Sequence, residues 1–108
     1  MEITLSSIRL LQSDREFNLR FASATMHIVS DLLERGWFVS IHGLDNPGFA
    51  EALFDAEDIR MRMQATTTEG IQLEGDCFVH PQMDASGVNL KGDGRLYGYE
   101  LLADKERL

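Results

Sequence analysis

"SDREFNLRFASATMHIVSDLLERG", residues 13–36, decides the fold, because it is the longest stretch that reads as a single element. It opens with Ser13-Asp14-Arg15-Glu16, the pattern of a capping box. Ser13 can accept from a free backbone N–H while Glu16 reaches back to the cap. Glu16, Arg20, Ser23, His27, Ser30 and Glu34 then recur at three- and four-residue steps. Phe17, Phe21, Ala24, Ile28 and Leu32 line a face turned away from them. Gly36 supplies the left-handed residue with which helices commonly end. The spacing predicts one long amphipathic helix from Ser13 to Arg35.

Strands are expected on both sides of it. Ile3 to Leu11 is apolar enough for a strand, with its alternation broken at Ser6 and Ser7. In Trp37 to Leu44, Trp37, Val39 and Ile41 point one way and Phe38, Ser40 and His42 the other. Asp45-Asn46-Pro47-Gly48 combines four turn-forming residues. Pro47 can also open a helix with Asn46 as its cap, and Phe49, Ala52, Leu53 and Ala56 then share a face, so a short helix is expected to about Asp58. Ile59, Met61, Met63 and Ala65 alternate with Arg60, Arg62, Gln64 and Thr66, and Ile71, Leu73, Cys77 and Val79 alternate with Gln72, Glu74, Asp76 and Phe78. A Thr68-Glu69-Gly70 loop joins these two strands, with Gly70 at the positive-φ position, and sets Arg62 opposite Asp76 and Gln64 opposite Glu74. His80-Pro81 is expected to stop the second of them. Asp93-Gly94 reads as a type I′ turn between Val88–Gly92 and Arg95–Leu102, with Leu90 opposite Tyr97 and Val88 opposite Tyr99. Together these elements predict a single α+β domain over residues 1–108, with one long helix on a mainly antiparallel sheet and a second short helix.

The 108 residues suffice for one core, and 44% apolar content is ordinary for a globular domain. The single cysteine, Cys77, excludes an internal disulfide and favours a reducing, cytoplasmic setting. No apolar run is long enough to span a bilayer, so no membrane association is expected. The net charge of -8 argues against direct binding to nucleic acid and favours a basic protein partner. The composition also allows a homodimer.

Motifs of chemistry are sparse. Cys77 and His80 have the C-x-x-H spacing, but residues three apart on a strand face opposite sides, so no metal site is expected. No nucleophile elbow, P-loop or dinucleotide fingerprint occurs, and neither a catalytic residue nor a cofactor is implied. On the short helix Glu51, Asp55 and Asp58 would form an acidic stripe with Phe54 at its margin, a candidate surface for a basic partner. The competing reading is a small-ligand-binding domain or enzyme. Its apolar cavity would lie between sheet and helix, lined by Trp37, Met61, Met63, Tyr97 and Tyr99.

"GWFVSIHGLDNPGF" resembles a segment of the immunity-53 type of bacterial polymorphic-toxin immunity proteins. The resemblance rests on Leu44, Asp45, Asn46, Pro47, Gly48 and Phe49 and covers a short part of the chain. The family pattern continues with an alternating strand, whereas "AEALFDAED" reads as helix. The resemblance implies a small cytosolic protein that neutralises a toxin by binding it, which agrees with the acidity.

Overall fold

Met26 settles the reading of residues 13–36. A helix turns about 100° per residue, which would place Met26 away from Ala24 and Ile28; a strand puts all three on one face. The structure is a computed structural model that describes residues 2–13, 15–30, 35–46, 49, 59–82, 87–99 and 101. In it Ala24, Met26 and Ile28 are all buried, Met26 completely. The long helix is replaced by β2 (Arg15–Asn18) and β3 (Ser23–Ser30), and Arg35 already belongs to β4 (Arg35–His42). The expected α+β class is thereby corrected to all-β. A step of four residues is close to one helical turn and is also even, so Ala24 and Ile28 suit either period; the odd-step members of the stripe misled.

The supposed caps have other roles. Ser13 takes a positive φ of 51° in the β1–β2 connection, where Gln12 pairs with Arg15. Gly36 pairs with Val29 inside the β3–β4 ladder. The expected helix over 47–58 falls on residues that, Phe49 excepted, lie outside the described ones.

The remaining strands are β1 (Glu2–Gln12), β5 (Arg60–Thr67), β6 (Gln72–Gln82) and β7 (Gly87–Gly92). Six strands close into an antiparallel barrel in the order β1-β3-β4-β7-β6-β5, with β5 returning to β1. β2 folds back on the second half of β1. The broken alternation at Ser6 and Ser7 is a bulge, where the β1–β5 register shifts between Leu5 and Ser7. The extra residue keeps both Leu5 and Ile8 inside. Ser6 Oγ donates to the carbonyls of Thr66 and Thr67 at 3.1 and 3.2 Å.

Inward-facing residues fill the barrel. Leu10, Met26, Val39, Met63, Leu90, Cys77 and Val79 are completely buried, and Trp37 nearly so. Trp37 lies over two residues without side chains. A Cβ on Gly75 would meet its ring at 2.8 Å, and one on Gly92 would overlap the indole. The indole N–H donates to the Gly94 carbonyl at 3.2 Å. Beyond β7 the chain therefore covers the indole and does not form the expected final hairpin. Leu90 pairs with Val39 and Val79, and Val88 with Ile41 and Pro81. Tyr97 instead bridges Glu74.

The β5–β6 register is as the sequence predicts, with Arg62 opposite Asp76, Gln64 opposite Glu74, and Gly70 at φ 89°. Thr67 Oγ1 accepts from the N–H groups of Glu69 and Ile71 across the loop. His80-Pro81 does not end β6, which runs to Gln82. At Pro81 the strand pairs with β7 alone, β5 having ended at Arg60 opposite Phe78, so the missing N–H can face away from the ladder.

Leu44 to Asn46 do more than turn the chain. Asn46 Oδ1 accepts from the Arg20 N–H at 2.6 Å, and Asn46 Nδ2 donates to the Asn18 carbonyl at 3.2 Å. The Asp45 N–H donates to the Arg20 carbonyl at 2.8 Å. This clamp delivers Phe49 to the core, 2% exposed, with its ring 5.1 Å from that of Phe17.

Trp37→Ala should cost about 3–5 kcal/mol, because a large void replaces the indole. Gly92→Ala should cost about 1–3 kcal/mol by overpacking against the same ring. Gly70→Ala, with open space around it, should cost only ~1 kcal/mol from its positive φ. Urea denaturation of the three variants checks this ranking.

Candidate functional site

With the barrel filled, its outer walls carry the accessible side chains, and two of these walls are organised among the described residues. On the first, β3 and β4 present Val29, His27 and Phe38 outward. His27 pairs with Phe38 across the ladder, and the rings stack at 4.5 Å and 14°. Glu2 Oε1 lies 3.4 Å from His27 Nδ1. Phe38 remains 40% exposed and Val29 55%. Gly36, opposite Val29, has open space above it. The result is an apolar shelf with an aromatic ring held in place at one end.

The second wall is polar. Asn18, Arg9, Gln64, Glu74 and Tyr97 are direct neighbours in one row across β2, β1, β5, β6 and the segment after β7. Its middle members, Arg9, Gln64 and Glu74, are joined through their side chains. Arg9 donates through Nε and Nη2 to Gln64 Oε1, and through Nη1 to Glu16 at 3.0 Å. Gln64 Nε2 donates to Glu74 Oε1 at 2.5 Å, and Arg62 Nη2 to Glu74 Oε2 at 2.9 Å. Arg62 also reaches Asp76, while Arg60 lies within ion-pair distance of Asp76 and Asp93. The Arg62 hydrogen bond, followed by that from Gln64, holds the Glu74 carboxyl below its usual range. Glu74 in turn raises the Arg62 guanidinium. Over this row lies a cleft of about 660 Å³, walled by Asn18 and Leu19 on one side and Tyr97 and Gly98 on the other.

The residues singled out from sequence fall elsewhere or apart. Glu51, Phe54, Asp55 and Asp58 lie outside the described residues. The cavity set does not converge, and the helix that was to cover it is absent. Trp37, Met61 and Met63 are buried in the barrel, Tyr97 is 47% exposed on the outer wall, and Tyr99 packs partly buried at its edge. Cys77 faces inward as expected, and burial, reinforced by Asp76, pushes its thiol up to about 12. Among the described residues no group of His, Cys, Asp and Glu could hold a metal ion. Nor, among them, is any helix long and apolar enough to cross a membrane. Sequence reasoning missed the shelf because His27 was placed on a helix, which hides its pairing with Phe38 across two adjacent strands. It found Gln64 opposite Glu74, but the continuation to Arg9 requires the barrel's closure and that to Tyr97 the path of the segment after β7.

Two limbs of pH dependence follow. Glu74 ionises more readily in the folded chain than its ordinary value of 4.5 allows. Its contribution is therefore complete above that value and is lost as pH falls through the lower folded one. For Cys77 the folded chain keeps the thiol proton to about 12, against an ordinary 9.0. Stability should therefore fall as pH rises between those values, where the unfolded chain binds fewer protons. Denaturation across a pH series should show the acid limb flattened in Glu74→Gln and the alkaline limb flattened in Cys77→Ala. In the native wild type, a thiol reagent should label Cys77 far more slowly than after denaturation.

Comparison with known proteins finds no matching family model, no matching curated protein and no matching solved structure.

Proposed function

We propose that this chain is a non-enzymatic protein-binding module of the cytoplasm whose partner is a basic protein. In the form the immunity-type resemblance implies, it is an inhibitor that acts by occupying its target. The exposed shelf of Phe38, Val29 and Gly36 is the observation that carries this reading. Partly exposed, well-held aromatic side chains are the usual anchors of protein interfaces, and Phe38 is oriented by its stack on His27. The net charge of -8 supplies the second element, long-range attraction for a basic surface. Glu51, Asp55 and Asp58 contribute to that field as part of the acidic surplus, and Phe54 is a further apolar candidate beside them.

The test begins with capture of the partner from the native host and its purification. Association and dissociation rates are then measured at low and high salt. Phe38→Ala should raise the dissociation rate by about tenfold, the loss of about 1.4 kcal/mol, with folding intact. Charge reversal at Asp55 and Asp58 should slow association and weaken its salt dependence. Binding that ignores salt and is indifferent to Phe38→Ala would overturn the reading.

A further inference from the structure

We propose that the cleft over β1, β5 and β6 is a binding site for a short neutral saccharide. This activity is separate from partner binding on the Phe38 wall. A volume of about 660 Å³ lies within the range of small-molecule sites, roughly 300–1,000 Å³. What distinguishes the cleft is the character of its lining.

First, its charges are balanced locally. Arg9 is paired with Glu16, and Arg62 with Glu74 and Asp76. An anion or cation entering the cleft meets the opposite charge already neutralised, so net charge gives it little advantage. Second, the floor is dense in groups that both donate and accept. Ser7, Thr66 and Gln72 form a second row directly beside Arg9, Gln64 and Glu74. An apolar ligand would strip water from these groups without replacing the lost hydrogen bonds. Hydroxyl groups, which donate and accept at once, restore them.

Third, the groups are fixed before any ligand arrives. Arg9, Gln64, Glu74 and Arg62 hold one another by side-chain hydrogen bonds, so little rotamer freedom is lost on binding. Three of Arg9's five N–H groups serve that chain, which leaves two for a ligand. Glu74, kept ionised by Arg62, retains lone pairs for a hydroxyl donor. At the rim stands Tyr97, steadied by the Arg62 and Arg95 guanidiniums 5.2 and 5.0 Å from its ring centre and still half exposed. It offers an aromatic edge and a hydroxyl to the ring of a sugar. A charge-neutral, hydroxyl-matching, pre-ordered cleft with one aromatic at its rim suits a saccharide better than a phosphate, a basic peptide or a lipid.

The experiment is titration of the full chain, followed by amide chemical shifts. The probes are maltose, cellobiose, lactose and diacetylchitobiose, with inorganic phosphate and tetralysine as charged comparators. At least one disaccharide should shift the amides of Arg9, Gln64, Thr66, Glu74 and Tyr97 saturably, and its affinity should not change with salt. Tyr97→Ala and Gln64→Ala should each weaken it about tenfold while the remaining spectrum stays folded. The proposal is overturned if none of the disaccharides moves these amides. It is equally overturned if phosphate or tetralysine moves them instead, or if both variants bind the sugar as the wild type does.

Discussion

Trp37 is the side chain around which the barrel is arranged. An indole in so narrow an interior needs space on the strands facing it, and that space exists because β6 carries Gly75 and β7 carries Gly92. Its N–H must also find an acceptor, since a buried unpaired donor costs about 1–3 kcal/mol. Gly94 supplies the carbonyl. The chain after β7 is thus drawn over the indole, Leu96 is buried, and Tyr97 arrives beside β6 opposite Glu74. Gly98 follows at φ 97°, where a Cβ would collide with the Gln72 carbonyl. One wall of the outer cleft is in this sense a consequence of how the core accommodates its largest side chain.

Closure places a second demand on β1, which must pair with three strands. Its first residues pair with β3, its last with β2, and most of its length with β5. Where β3 leaves and β2 has not begun, the barrel is open to the core. Leu19 enters that interval, its N–H bonded to the Ile8 carbonyl at 3.0 Å. Phe49, delivered by the Asn46 clamp, joins the same core and meets Phe17 of β2. Leu44 to Asn46 therefore serve a tertiary purpose, and Asn46 acts through its side chain at a distance that local propensity does not describe.

Much of this fold was legible where period two stood alone. Met61 to Ala65 and Leu73 to Val79 alternate without competing signals, so the hairpin's faces, register and loop could all be read. Residues 13–36 carry two overlapping periods, and a plausible capping box weighted the choice toward helix. Met26, apolar and out of phase with a helical stripe, was the residue that distinguished them. The final hairpin failed for a different reason: Asp93-Gly94 is good local turn chemistry, but Trp37 controls that segment from far away in sequence. The polar row could be read only as its central pair, since Arg9 joins it through the β1–β5 pairing that closes the barrel and Tyr97 through the segment drawn over Trp37.

Closure also separates the two outer walls. In the ring β1-β3-β4-β7-β6-β5, β4 and β5 stand three strands apart in either direction, so Phe38 and Gln64 project from opposite sides. On the β5 wall arginines and carboxylates cancel at close range, and a ligand there is selected by hydrogen-bond geometry. The acidic surplus that gives the chain its charge of -8 is not consumed in those pairs, and it acts over about a Debye length, roughly 8 Å at physiological salt. On the function proposed above, that field attracts a basic protein, and the paired charges of the cleft contribute little to it. On the same reading, a neutral ligand in the cleft would neither screen that field nor compete for Phe38, so the two proposed sites would be compatible on one chain.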